Sequence, residues 1–453
     1  MADRVLVQFE GECDGVAELS WGQREIWSVM ESRGEWLSIG GVRQLPPGRT
    51  IQDVVSDLRF GMTRHQSLRT RLRFTADGTP LQVVENRGEI PLEIVDAGDE
   101  DPATVAASVA HRYQAADFDY EADWPVRMAV ITARGAATHV AEVFCHLAMD
   151  AFGLAALRAD MAARYEYRGE VPPVTAAQPL EQAMKQRGNA ARRAHDAALR
   201  HVERLLREAP ARQFRESRDR RSPRVWQLTC TSPAGYLAVR MLAAQAGVAT
   251  SPILLAAFAV AVTELTGVRP VALHMVVNNR FRPGFAGSVS PVAQSCPCVI
   301  DPAGGFREVI TRAFQAAMSA YKNSYYDLDG KKQLFARISA ERGTELDLSC
   351  LFNDRRVGSR ETADALDGAD PAGVREELSR TTLTWGERSD VPEEKLFLYV
   401  NDVPDTLCYE LWADTGYVSP ADMEAFMRRI ESVLVDAAAT ATGPLTDATE
   451  RSG

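Results

Sequence analysis

The chain has 453 residues, 45% of them hydrophobic and 25% charged, which is enough apolar material for one large core or two smaller ones. A formal net charge of −11 and a pI of about 5.3 argue against nucleic acid and anionic membrane as partners, since both need a positive field. The seven cysteines are odd in number and lack C-x-x-C spacing, so they read as reduced, mostly buried thiols and not as a zinc site or disulfide framework. The N-terminus, MADRVLVQFEGECDG, carries acidic residues where a signal peptide needs an apolar run. The longest apolar stretch, Ile253 to Val262, is too short to span a bilayer. A soluble, cytoplasmic monomer is the expectation.

In chain order, Val5–Phe9 alternates as a strand does. Ser20–Ser32 reads as a helix with Ser20 as N-cap. Thr50–His65 has near-helical apolar spacing. Leu68–Phe74 and Leu81–Val84, joined through Asp77-Gly78, form a hairpin signal. Ala103–Ala115 is a helix. Val126–Thr132 and His139–Phe144 are neighbouring strands joined through Arg134-Gly135, and Gly153–Tyr167 is helical. GEVPPVTAAQ, from Gly169 to Gln178, has the prolines and small residues of a linker. It divides the chain into residues 1–175 and 176–453, two lobes in a mixed α/β architecture.

Beyond the linker, Leu180–Arg207 reads as one long charged helix and Arg212–Arg224 as a surface loop. Leu237–Ala246 and Ser251–Leu265 are helices, the second nearly apolar and therefore buried. Val271–Val277 is a buried strand and Phe306–Tyr321 an amphipathic helix. Leu348–Asn353, Thr381–Trp385, Lys395–Val400 and Leu407–Trp412 are strands, Ser419–Ala437 is a closing helix, and the tail beyond Ala439 is frayed.

A general base acting near neutral pH most often comes from histidine, and the chain has seven. His65 reads as a packing or capping residue, His195 and His201 as solvated, His111 and His139 as edge residues, and His274 as a core histidine. His146 differs. It ends the apolar strand of VAEVFCHLAMDAFG, where a loop and a helix follow and Asp150 comes four residues later. A strand end that feeds a loop presents its side chains at a cleft edge.

FCHLAMDAFGLAAL resembles the His-His-x-x-x-Asp-Gly signature of the condensation domains of nonribosomal peptide synthetases. Cys145 replaces the first His and Ala151 the Gly, while His146 and Asp150 are kept. Further segments match in order: LSWGQREIW, with Gln23 and Trp27; RHQSLRTRL, from Arg64 to Leu72; DFDYEADWPVRMAVI, with Phe118, Asp119, Pro125 and Arg127; and the helix and strand ending at Arg280. AQSCPCVID puts Gln294, Ser295 and Pro297 at the Asn, Thr and Pro places of the family's Val-Asn-Thr-Leu-Pro-Leu-Arg segment, and AYKNSYYD resembles a later one. The resemblance runs from about residue 18 to 438.

It implies a V-shaped pseudodimer of two chloramphenicol-acetyltransferase-like lobes, with His146 at the midpoint of a central tunnel. It also implies amide formation, less favourably ester formation, between an amine and an acyl or aminoacyl thioester. The thioester is carried on the phosphopantetheine arm of an acyl- or peptidyl-carrier protein. No tightly bound cofactor and no metal is expected. His146 accepts the proton or hydrogen-bonds the amine and the tetrahedral intermediate; the sequence leaves both open. Asp150 and Arg280 correspond to a family salt bridge that supports the motif. Cys145, Ala151, Phe152, Gly153, Gln294 and Ser295 are candidates for lining the tunnel or binding substrate. Strand alternation turns Cys145 toward the core, and Ala151 trades glycine's freedom for a methyl group.

With no carrier domain in the chain, the carrier is expected in trans. The Arg187–Arg193 and Arg215–Arg224 runs are candidate docking patches for an acidic partner, with a solvated face as the plainer reading. Three other readings stand beside the amide-forming one: a condensation-like binding module that recruits tailoring enzymes or carrier proteins, an epimerase, and an enzyme that takes coenzyme A donors.

Overall fold

The computed structural model describes residues 3–166, 171–217, 219–356, 371–391 and 394–440. They form two compact units, one of Met1–Ala194 with Asn278–Gln294, the other of His195–Val277 with Ser295 onward. The expected tail, from residue 441 on, and Gly169 and Glu170 within the expected linker lie outside the described residues. The rest of that linker, and the chain after it up to Ala194, belongs to unit 1.

Unit 1 contains strands β1 (Asp3–Glu10), β2 (Gly15–Glu18), β3 (Ser38–Gln44), β4 (Thr70–Phe74), β5 (Pro80–Val84), β6 (Arg87–Asp96), β7 (Val126–Ala133) and β8 (Ala136–Cys145). Its helices are α1 (Trp21–Arg33), α2 (Ile51–Arg64), α3 (Pro102–Ala115), α4 (Ala151–Glu166) and α5 (Pro179–Gln186). A five-stranded sheet runs β1-β6-β7-β8-β3 and a three-stranded one β2-β5-β4. In the larger sheet only β6 and β7 pair in parallel.

Both faces of that sheet are covered, which is why β7 and β8 read as nearly unbroken apolar runs. On one face Met128, Val130, Val140 and Phe144 pack with Val54, Leu58 and Met62 of α2 and Leu154 and Leu157 of α4. On the other, Ala129, Ile131, Ala141 and Val143 pack with Ala106, Val109 and Tyr113 of α3. Local signals set the helix ends. Ser20 and Gln23 form a reciprocal capping box on α1, and Gly34 ends that helix in the left-handed region at φ 69°. Thr50 and Asp53 make the same box on α2.

Unit 2 holds most of α6 (Asn189–Glu208), followed by β9 (Val225–Ser232), α7 (Pro233–Ala246), α8 (Thr250–Thr266), β10 (Val271–Val277) and β11 (Gln294–Ile300). Next come α9 (Phe306–Asn323), α10 (Leu328–Arg342), β12 (Cys350–Asp354), α11 (Pro371–Glu376), β13 (Thr382–Ser389), β14 (Leu396–Asn401), β15 (Leu407–Asp414) and α12 (Pro420–Thr440). The sheet order is β11-β10-β12-β14-β15-β9-β13, with parallel pairs at β10–β12 and β12–β14. Helix α8 is buried from Ile253 to Val262 except at Val260, which is partly exposed, and packs against α7, α9 and α12. No single described helix is long and apolar enough to cross a membrane; α7 and α8 satisfy length and composition only as a pair bent by 113°.

The single helix expected over Leu180–Arg207 is two, α5 and α6. The break falls at Arg187-Gly188, where the Gly188 N–H turns back to the Lys185 carbonyl at 3.0 Å. Glycine is a weak helix former. The two pieces also serve different units: α5 is tied into unit 1 through Gln182, which donates to Ser288 and Ser290 at 2.9 and 2.8 Å, whereas Ala198, Val202 and Leu206 of α6 join the core of unit 2.

Candidate active site

Strand β8 ends at Cys145, and His146 opens the turn that leads into α4. Its backbone is fixed by the β3 side of the sheet, since the His146 N–H donates to the Leu37 carbonyl at 2.8 Å. The ring is partly buried. Nδ1 is sealed from solvent and has no hydrogen-bond partner among the described residues. Burial pushes the His146 pKa below the ordinary histidine value; the backbone of His146 and Met149 and the Asp150 charge oppose this only in part. The imidazole is therefore neutral at neutral pH and able to accept a proton.

Asp150 lies four residues on, just before α4, and is 5% exposed. Oδ1 accepts from the Gly153 N–H at 2.7 Å, capping the helix that follows. Oδ2 accepts from Arg280 Nη1 at 3.0 Å and from the Val292 and Ala293 N–H groups at 3.0 and 3.1 Å. Arg280 Nη2 completes a two-pronged pair with Oδ1 at 2.8 Å. The same Nη2 donates to the Ser288 and Ser290 carbonyls at 3.1 Å each. The expected pair is thus present, buried on both sides and saturated with hydrogen bonds, as a buried charge requires. It joins the start of α4 to residues 288–293.

The other candidates are placed as follows. Cys145 does not line a binding surface. It is 1% exposed, in a cluster with Leu19, Met30, Leu72 and Leu147, because alternation turns it away from the face of Phe144. Burial raises its thiol pKa to about 12, so it is no thiolate nucleophile. Gly153 also offers no lining: it is buried, and a Cβ there would stand 3.0 Å from Met149 and 3.2 Å from Arg280 Nη2 and the Ser290 carbonyl. Ala151 and Phe152 are partly exposed in the first turn of α4, with the Arg280 guanidinium 5.8 Å from the Phe152 ring centre. Gln294 is buried at the start of β11. Ser295 belongs to unit 2, where Lys331 Nζ donates to its Oγ at 3.2 Å and the Tyr326 hydroxyl to its carbonyl at 2.6 Å.

The RHQSLR segment proves to be a staple. Arg64 grips Asp160 of α4 at 2.8 and 3.0 Å, and His65 Nε2 meets the same carboxylate at 2.9 Å, holding it at about 2 in pKa against the opposing effect of burial. Arg69 is 1% exposed and donates to the carbonyls of Glu12, Cys13 and Glu85. Two histidines read as solvated are not. His201 is 9% exposed, with Arg204 donating to Nδ1 at 2.8 Å and Nε2 3.2 Å from the Ser319 hydroxyl. His195 Nδ1 accepts from the Asp327 N–H at 3.1 Å. Both side chains lie where α6 packs in unit 2, which a charged local sequence does not reveal. The residues that sequence reading missed at the site are Gln182, Ser288, Ser290 and the Val292–Ala293 backbone. All act through long-range contacts and carry no local motif.

Residues 26–352 match the family described as Condensation domain. The chain belongs to the condensation-domain family. Among solved structures, it is similar to a condensation domain that mediates chain release from the enacyloxin polyketide synthase, with 21% identity, a TM-score of 0.71, and 95% of this chain and 85% of that one covered. It is also similar to the SgcC5 protein from Streptomyces globisporus, with 19% identity, a TM-score of 0.69 and coverages of 94% and 100%. A third similar structure is the X-domain from teicoplanin biosynthesis in its complex with OxyB, with 18% identity, a TM-score of 0.65 and 95% of both chains covered. No relative among curated proteins matches. At these identities the likenesses establish the condensation-domain fold, mixed α/β with two chloramphenicol-acetyltransferase-like lobes.

Proposed function

We propose that this condensation-type domain transfers an acyl or aminoacyl group from a carrier-borne thioester to an amine, forming an amide. The observation that carries this reading is the placement of His146 at the end of β8, its ring partly buried, its Nδ1 without a partner among the described residues, and its loop anchored by the Asp150–Arg280 pair. A thioester is already activated, so the protein must align two reactants and move one proton. The amine nitrogen attacks the thioester carbonyl, forming the C–N bond and a tetrahedral intermediate. His146 Nε2 takes the proton from that nitrogen. The C–S bond then breaks, and the proton passes to the departing phosphopantetheine thiolate. Asp150 and Arg280 do not touch the reacting atoms in this scheme; they position the loop that carries His146.

The test is intact-protein mass spectrometry of a panel of acylated carrier proteins incubated with candidate amines. Loss of the acyl group from the carrier, with a matching amide product, is expected with the wild type and not with His146→Ala. Wild-type rates from a folded His146→Ala protein sink the proposal.

A second reading, a binding module that recruits tailoring enzymes or carrier proteins, is favoured by the Cys145 and Ala151 departures and by likeness to the X-domain seen with OxyB. It predicts tight binding of a loaded carrier or tailoring enzyme, unaltered by His146→Ala, and no turnover. The basic runs give neither reading much help, because Arg187, Arg220, Arg221 and Arg224 are paired with Glu18, Glu216, Asp219 and Asp414.

A further inference from the structure

Asn279 sits immediately before Arg280 in the stretch of chain that returns to unit 1 from unit 2. It is fully buried, and its φ is 55°, in the left-handed region where non-glycine residues are uncommon and asparagine is the best tolerated. A residue held there, away from solvent, is held by its surroundings. Those surroundings are specific. Asn279 Nδ2 donates to the Val292 carbonyl at 3.0 Å, and its Oδ1 accepts from Arg282 Nε at 2.9 Å. The Asn279 carbonyl accepts from the Arg282 N–H at 3.1 Å, closing a turn.

Val292 is the other half of the argument. Its N–H donates to Asp150 Oδ2 while its carbonyl is held by Asn279. Asp150 accepts from four groups: the Gly153 N–H, the Arg280 guanidinium, and the Val292 and Ala293 N–H groups. Two of the four are tied directly to Asn279: Arg280 is its neighbour in the chain, and the Ala293 N–H lies in the peptide whose carbonyl, that of Val292, the Asn279 amide holds.

We infer that Asn279 is the positioning residue that registers Arg280 and the Val292–Ala293 peptide on Asp150, and through Asp150 the loop that carries His146. The functional weight of this inference rests on His146 being the proton acceptor. Glycine at the position keeps the left-handed turn but drops both side-chain bonds. Aspartate keeps an acceptor for Arg282 but cannot donate to the Val292 carbonyl. Alanine loses the bonds and strains the turn as well.

The experiment is NMR of the full chain labelled with 15N-histidine, the His146 signal being assigned from its absence in His146→Ala. In folded Asn279→Gly and Asn279→Asp proteins, the His146 ring signals and titration midpoint are expected to move, by about half a unit or more, while the other six histidines titrate as in the wild type. Once the substrate is in hand, kcat falls about tenfold with KM unchanged, the pattern of misplacement during the chemical step. His146 signals unchanged in both folded variants overturn the inference, and so does an equal displacement of all the histidines, which marks general loosening. If neither variant folds, Arg282→Gln decides, since it removes the guanidinium that donates to Asn279 Oδ1 and leaves Asn279 itself in place: a smaller displacement confined to His146 supports the inference, and none refutes it. The functional reading fails separately. A fully active His146→Ala protein ends it while leaving the NMR result standing.

Discussion

A partly buried histidine whose pKa lies below the ordinary value of about 6.5 makes the acid limb of the rate profile a direct readout of His146. The sign is fixed by the role. In the role proposed for His146 the base form is needed, so turnover is expected to be full above the ordinary value and to fall as pH drops through the lower folded-state pKa. A kcat profile whose acid limb has its midpoint at or above about 6.5 counts against a desolvated His146 base. Cys145 supplies the contrast: equally near in sequence, it packs among Leu19, Met30 and Leu72 as a small hydrophobe. Cys145→Ala is expected to cost modest stability and little rate, and an acyl group trapped on Cys145 by mass spectrometry contradicts direct transfer. Asp150 carries its charge into a buried pair, and breaking such a pair costs about 3–5 kcal/mol. Asp150→Asn should therefore unfold at lower urea concentration as well as turn over more slowly. A variant that melts like the wild type yet is inactive moves Asp150 from support to chemistry.

At the scale of elements, the site is made where β8 stops and α4 starts, and both ends are pinned from elsewhere in the chain. Residues 66–69 form a 3-10 turn before β4, where the sequence suggested strand from Leu68 onward. That turn aims Arg69 at three backbone carbonyls of the loop after β1 and the end of β5. Arg69→Met keeps much of the side-chain volume and removes all the donors. Its expected effect is a loss of about 1–3 kcal/mol in chemical denaturation, the cost of leaving a buried acceptor unmade, and an unchanged midpoint contradicts the staple. Strands β3 and β6 were not legible locally. SIGGVRQ breaks its pattern with two glycines and RGEIPLEIVD mixes charge with apolar residues, so both owe their strand form to pairing with β8, and with β1 and β7. Local propensity is overruled there by the sheet.

For the whole molecule, the two units show how differently a core can announce itself. In unit 2 the uniformly apolar helix α8 could only be a core helix, and Phe258 is fully buried between Phe352 and Phe426 at 5.5 and 5.8 Å. Phe258→Ala is expected to cost about 3–5 kcal/mol, the usual figure for an emptied aromatic site, as read by urea unfolding. A loss under about 1 kcal/mol contradicts close packing there. In unit 1 the sheet, its two covering layers and the His146 loop follow from alternation and caps that any reader of the sequence can count. The return of residues 278–294 to that unit does not, because it rests on Arg280 reaching Asp150, far away in sequence, and on Asn279 fixing the peptide that meets the same carboxylate.

The sequence by itself determined the helix caps, the alternation that separates Cys145 from His146, the apolar runs of β7, β8 and α8, and, through ordered motifs, the condensation-domain family. These are properties of neighbouring residues, set by backbone geometry and burial within a few positions. Only the tertiary structure decided that Asp150 is saturated by donors from three separate segments, that Gly153 faces inward, and that His201 is buried. A hydrogen bond or a buried charge pair is decided by distance in space. Sequence separation sets no limit on which groups the fold brings within about 3 Å of each other.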